Sequence, residues 1–146
     1  MTATIEDYLK AILRISADQG SSRTSALARE VVVTPASAST MVGRLQSAGL
    51  AESVGWGRVR LTGHGAAHAR SVLRRHRLAE ALLHDVLGMP IEEVHAAAEV
   101  LEHALSPRLE SLIDERLGHP EWDPHGSPIP APGECRPENV EIGEER

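Results

Sequence analysis

Apolar residues recur along the first half of the chain at two different periods. Over residues 4–18, Ile5, Leu9, Ile12 and Leu13 form one helical stripe, with Thr4 as cap and Glu6 and Asp7 in the first turn. Gly20-Ser21-Ser22 breaks the pattern. A short helix is predicted over 25–31 from Ala26, Leu27, Ala28 and Val31. Thr34-Pro35 then supplies a cap and a first-turn proline for a helix that ends near Gly49. Two short helices joined tightly make a helix-turn-helix. Beyond it the period changes. Leu50–Val54, the turn Gly55-Trp56-Gly57 and the stretch Arg58–Thr62 read as a β-hairpin wing, with Val59 and Leu61 facing in and Arg58 and Arg60 facing out.

The rest of the pattern is helical. A long helix is predicted from 63 to 87, stopping at Gly88. Another runs over 91–105 after Pro90, and a third over 107–117 after Ser106-Pro107, stopping at Gly118. Residues 119–146 hold six prolines and three glycines and read as an ordered loop fading into a disordered tail. The expected fold is therefore mainly α: a winged helix-turn-helix over 1–75, an all-helical domain over 76–130, and an acidic flexible tail over 131–146.

Composition narrows the picture. Phe is absent and aromatics make up 2% of 146 residues, so the core must be aliphatic and close-packed. The single cysteine, Cys135, cannot form an internal disulfide, and no stretch reads as a signal peptide or membrane span. A cytoplasmic protein that makes no use of a membrane is expected. The net charge of −6 is unevenly spread. Residues 1–80 carry eleven Lys/Arg against six Asp/Glu (net +5), and residues 81–146 carry four against fifteen (net −11). A basic half suits phosphates and an acidic half suits cations.

Candidate chemistry concentrates in the acidic half. His95, Glu99, Glu102 and His103 lie within roughly 100° of arc on a helix, away from Ala97, Ala98, Leu101 and Leu105. Carboxylates three residues apart repel unless something neutralises them, and a divalent cation does so. His76 and Glu80 form a second helical pair at i,i+4. Asp7 taken alone is explained by the helix dipole. His64, His68 and His84 read as structural or solvated, and Asp123-Pro-His125-Gly is ambiguous on spacing.

In the basic half, the second helix of the motif would enter the major groove. It presents Thr34, Ser37, Ser39 and Thr40 at its N-terminal end, where small hydroxyls reach phosphates or base edges. Arg44, Arg58 and Arg60 would add phosphate contacts. With no bulky bidentate reader on the helix front, readout is expected to rest on thymine methyls and DNA shape. A winged helix serving protein contacts is the blander alternative.

The chain resembles the diphtheria-toxin-repressor type of metal-dependent transcriptional regulator, and within it the manganese transport regulators. The resemblance covers residues 4–130. It rests on Glu6-Asp7-Tyr8-Leu9, Met41-Val-Gly-Arg-Leu45, Ala48-Gly49-Leu50 and Leu61-Thr62. Its strongest stretches are Arg75-His-Arg-Leu-Ala-Glu80, Val94-His95, Glu99-Val-Leu-Glu102-His103-Ala-Leu-Ser106 and His125-Gly-Ser-Pro-Ile-Pro130. It implies a homodimer, held through the helical domain, that binds a palindromic double-stranded operator when metal is bound. It also implies one metal site from Asp7, Glu99, Glu102 and His103 and another from His76, Glu80 and His95.

Iron-type relatives look like Met and Cys where this chain has Asp7 and Glu99, so the oxygen ligands here favour Mn²⁺. The implied function is a manganese-activated repressor of metal-uptake genes, not an enzyme, with an Fe²⁺-responsive repressor as the alternative. Lys10 stands where some relatives place a further glutamate. Asp123 stands where many have Cys, as a replacement ligand or an unused residue. The SH3-like third domain of many members has no counterpart here, which would leave the His76 site open.

Two other classes compete. A carboxylate-bridged metalloprotein of the di-iron type needs Glu-x-x-His on each of two helices, an arrangement this chain lacks. A sensor of organic ligands needs an aromatic-lined pocket, which a nearly aromatic-free chain is poorly equipped to build.

Overall fold

Thr4 starts the first helix by a reciprocal cap: its hydroxyl accepts from the Asp7 N–H at 3.2 Å, and its own N–H donates to Asp7 Oδ2 at 2.8 Å. The computed structural model describes residues 4–133. Helix α1 (Ile5–Gln19) ends at Gly20, whose φ of 74° is the left-handed conformation of a helix stop. Then come β1 (Ser22–Arg23), α2 (Thr24–Glu30), α3 (Pro35–Ser47), β2 (Ala51–Ser53), β3 (Arg58–Leu61), α4 (Gly63–Ala81), α5 (Ile91–Leu101) and α6 (Pro107–Arg116). Contacts divide the chain into two units, the first ending at Ala69 and the second running Arg70–Pro132. The division lies N-terminal to the expected boundary at 75/76.

In the first unit, Leu9 and Ile12 of α1 pack with Leu27, Leu45, Leu50 and Val59, all essentially inaccessible to water. The expected stripe is therefore the core stripe of α1, with Ile5 and Leu13 at its margins. Thr34 caps α3 by accepting from the Ser37 N–H at 3.1 Å, with Pro35 in the first turn. The hairpin pairs Glu52 with Arg60 and Ser53 with Val59.

The sequence pattern missed β1. Where a simple break was expected, Ser22 pairs with Val59 and Arg23 with Arg58, giving a three-stranded antiparallel sheet in the order β1-β3-β2. Thr62 then starts α4, accepting from the Gly65 N–H at 3.1 Å and donating to the Gly49 carbonyl at 2.6 Å. A Cβ on Gly65 would sit 1.8 Å from the Leu50 carbonyl oxygen, so only glycine fits.

In the second unit, Leu78, Leu83, Val94, Ala98, Leu105 and Ile113 form the apolar core. Two helices depart from the expected ranges. The helix predicted over 63–87 is α-helical to Ala81 and widens into a π-helical turn at Leu82–Val86. The helix predicted over 91–105 is α-helical to Leu101 and tightens into a 3₁₀ turn at Glu102–Ala104. Pro107 follows, and the residue before a proline is pushed out of the helical region. Ser106 caps α6 at the Leu109 N–H.

The segment after α6 is ordered by side chains of α4. Arg74 Nη1 donates to the Pro130 carbonyl at 2.9 Å, and Arg77 Nη1 donates to the Pro128 carbonyl. The tail beyond residue 133 lies outside the described residues. No helix among the described residues is long and apolar enough to cross a membrane.

Candidate metal centre and nucleic-acid interface

The second unit buries charge. Glu80, Glu102 and Asp123 are each less than a tenth exposed, and His76 lies among them at 4%. Helix α4 presents His76 and Glu80 one turn apart, with His76 Nε2 2.9 Å from Glu80 Oε1. The 3₁₀ turn after α5 directs Glu102 inward, where its Oε2 lies 3.0 Å from His76 Nδ1. Arg75 Nε donates to the Glu102 carbonyl at 3.2 Å and holds that turn in place. On α5, His95 and Glu99 pair at 3.3 Å, and the His95 ring meets the His76 ring edge-on at 4.9 Å. His103 Nε2 stands 3.5 Å from Glu102 Oε1.

A third element enters from the proline-rich loop. Asp123 Oδ1 accepts from the N–H groups of His125 and Ser127 at 2.9 and 2.7 Å, folding the loop around its own carboxylate. That turn brings His125 Nδ1 to 2.7 Å from Glu80 Oε2 and 4.0 Å from Asp123 Oδ2.

Three sets therefore have ligand atoms within 4.8 Å of one another in this unit: His76, Glu80 and His95; His76, Glu99 and Glu102; and Glu80, Asp123 and His125. Glu99 thus joins His76 as well as Glu102. Asp123 is drawn into the cluster with His125. His125 is the residue that spacing left undecided, and its signal was an acid two residues before it, Asp123 in Asp-Pro-His-Gly, the pattern of a side-chain-closed turn. Asp7 lies in the first unit, where its carboxylate closes the cap of α1.

Burial acts to raise the Glu80 carboxyl. The His76 hydrogen bond, with the charges of His76, His125 and His95, outweighs that and holds it below the ordinary carboxylate range. Buried carboxylates need either protonated imidazoles or a cation. A divalent cation fits this donor set: neutral imidazole nitrogens and carboxylate oxygens converge, and no sulfur is present among the described ligands.

The remaining histidines are structural or peripheral. His68 is fully buried and meets His64 edge-on at 4.6 Å. His84 Nδ1 lies 2.9 Å from the Met89 carbonyl.

In the first unit, Thr34, Ser37, Ser39 and Thr40 are all exposed along the N-terminal half of α3. Thr34 also spends its hydroxyl on the cap, and Thr40 donates to the Ala36 carbonyl at 3.1 Å. Arg44 is half-buried. Arg60 is tied to Glu52 at 2.6 Å and Arg58 to Ser21 Oγ at 3.1 Å, so neither is a wholly uncommitted phosphate contact.

Residues 1–56 match the family model of the iron dependent repressor N-terminal DNA binding domain. Residues 62–131 match that of the iron dependent repressor metal binding and dimerisation domain. The chain belongs to the iron-dependent repressor family. It is 37% identical over 127 residues to the iron-dependent repressor IdeR of Mycobacterium leprae (strain TN), covering 87% of this chain and 55% of the relative. It thus spans about half the length of the curated relatives it matches.

Among solved structures, IdeR of T. acidophilum aligns with a TM-score of 0.82 at 35% identity, over 94% of this chain and 64% of that one. A manganese-dependent transcriptional repressor in complex with manganese aligns with a TM-score of 0.78 at 38% identity, over 97% and 63%. The family is one of transcriptional repressors rather than enzymes, and both iron-dependent and manganese-dependent names occur in it.

Proposed function

We propose that this chain is a manganese-activated transcriptional repressor of metal-uptake genes, acting as a homodimer on a palindromic operator. The observation that carries the reading is the burial of Glu80, Glu102 and Asp123 around His76 in the unit matched by the metal binding and dimerisation domain. When bound, the cation supplies the positive charge that lets these carboxylates stay ionised beside neutral imidazoles.

The proposed ligands are Asp7, Glu99, Glu102 and His103 for one site and His76, Glu80 and His95 for the other, with Asp123 and His125 adjoining Glu80. Asp7 would then serve two purposes, closing the cap of α1 and binding metal, so that ligation stiffens the start of the DNA-binding unit. The coupling is a population shift: metal ligation must be tighter in the DNA-competent arrangement than in the open one. Exposed Thr34, Ser37, Ser39 and Thr40 are the proposed readers, and Arg44, Arg58 and Arg60 the proposed phosphate contacts. Val86, Leu87, Ile91, Val100, Leu109 and Leu112 are exposed aliphatics of the second unit that a homodimer contact would cover.

Manganese is favoured over iron by hardness rather than affinity, since Mn²⁺ lies at the weak end of the divalent series. Titrating DNA binding anaerobically with Mn²⁺, Fe²⁺ and chelator tests the whole reading. Mn²⁺ should tighten binding, and affinity should fall steeply with salt through counterion release. Equal affinity with Mn²⁺ and chelator would remove metal sensing, while a preference for Fe²⁺ would make this an iron-responsive repressor. The double change Asp7→Met, Glu99→Cys should weaken activation by Mn²⁺ and improve that by Fe²⁺. An unchanged ranking would move the source of selectivity to Asp123.

A further inference from the structure

The wing ends in a side chain that folding does not use. Trp56 is fully exposed (102%), the most exposed large apolar residue among those described. It sits between Gly55 and Gly57, whose φ angles of 124° and 61° are left-handed, in a turn closed by the Arg58 N–H donating to the Gly55 carbonyl at 3.1 Å. Hairpin tips ordinarily take small polar residues that satisfy such angles. An indole there forfeits the burial that makes tryptophan useful to a core. The tip is nevertheless held in place: the Gly57 carbonyl accepts from the Thr24 N–H at 2.8 Å and from its hydroxyl at 3.3 Å.

The sheet beside this tip carries a second anomaly. Arg23 on β1 is paired directly across from Arg58 on β3, a like-charge pairing that destabilises a sheet. Arg60 has Glu52 to neutralise it, but neither Arg23 nor Arg58 has a carboxylate partner among the described residues. An apolar wedge flanked by two guanidinium groups matches the sugar-and-phosphate wall of a DNA minor groove, where side chains are inserted and phosphates are gripped alongside. The same unit presents the exposed hydroxyls of α3, which favours DNA over a membrane surface or an apolar protein patch as the occupant.

We propose that Trp56 is a DNA-contacting residue, its indole lying in the minor groove beside the operator half-site, with Arg23 and Arg58 on the adjoining phosphates. The inference rests on the DNA-binding reading above and extends it to two residues, Trp56 and Arg23, outside the reading helix. It also gives the like-charge pair of Arg23 and Arg58 a role, since DNA phosphates supply an anion for each.

The test uses the full chain loaded with Mn²⁺ and a duplex recovered from a random-sequence pool by selection with that chain. Trp56→Ala should weaken binding about tenfold, in the range of an aromatic contact to a nucleic acid. It should leave the melting temperature and Mn²⁺ affinity unchanged, because nothing packs on the indole. Arg23→Ala should lower the salt slope of binding by about one. In a Trp122→Phe background, Trp56 is the sole tryptophan, and its emission should shift on adding duplex and return when the minor-groove ligand netropsin is added. A parent chain that binds no duplex with Mn²⁺ overturns the repressor reading and this inference together. A parent that binds while Trp56→Ala binds equally well, with no emission change, overturns this inference alone. An emission shift with anionic vesicles but not with duplex also overturns it, in favour of a membrane surface.

Discussion

The two units bury different things. The interior of the first is aliphatic, with Leu9, Ile12, Leu27, Leu45, Leu50 and Val59 sealed from water and few polar groups among them. The interior of the second includes Arg74, Arg75, His76, Glu80, Glu102, Glu110 and Asp123, all less than a tenth exposed. A core of the first kind is stabilised by removal of apolar surface and needs no ligand. One of the second kind is conditional, because buried charges are tolerated only while their partners are in place. The difference separates two kinds of stability: the first unit is held by apolar packing alone, and the second depends on what pairs its buried charges.

The largest expected effect tests the packing. In Gly65→Ala the new Cβ would lie 1.8 Å from the Leu50 carbonyl oxygen, a backbone atom that cannot rotate away. A loss of about 4 kcal/mol is expected from overpacking at such a contact. Denaturant unfolding followed by circular dichroism measures it. A loss below about 1 kcal/mol would mean that the first unit is far more yielding than its packing implies.

A somewhat smaller effect tests the buried charge. Arg74 lies between Glu110 at 3.5 Å and Asp114 at 3.4 Å while holding the Pro130 carbonyl. Arg74→Met keeps the bulk and removes the positive charge that faces the buried Glu110 and Asp114 carboxylates. About 3 kcal/mol should be lost, and hydrogen exchange in the second unit should rise first. Equal exchange in both units would erase the contrast between them.

Metal should sharpen the same contrast. Mn²⁺ at about one hundred times its Kd should stabilise the chain by about 2.7 kcal/mol through mass action. The added protection should appear in α5 and the loop around Asp123, and in the first unit only at the start of α1, where Asp7 sits. Glu102→Gln should abolish it. Protection spread evenly over both units would show that the first responds to metal as a whole.

What could be read from sequence follows the same division. Local signals were sufficient in the first unit: the Thr4 and Thr34-Pro35 caps, the apolar stripe of α1 and the alternation at Val59 and Leu61 all reappear as expected. Strand β1 escaped because two residues have no period. In the second unit the helices were legible, but the last turns of α4 and α5 were not. The tightening at Glu102 turns its carboxylate inward by a change of helix type that residue spacing does not encode. His125 meets Glu80 only because Asp123 folds the loop and arginines of α4 anchor it, and a contact between positions so far apart leaves no local pattern.

The smallest effect lies in the first unit. Val32, in the turn between α2 and α3, has φ of 58° and is 87% exposed. The left-handed region is costly for any residue with a Cβ, and most of all for a β-branched one. Since the side chain buries almost nothing, Val32→Gly removes the strain without losing packing. The gain is offset in part by the greater freedom of glycine in the unfolded chain. A net stabilisation of about 1 kcal/mol is expected, with Val32→Asn gaining less because it keeps the Cβ but tolerates the angle. Melting temperatures of the three proteins measured in chelator decide it, free of any metal contribution. A Val32→Gly chain less stable than the parent would show that the strain at Val32 costs less than the freedom glycine adds to the unfolded chain.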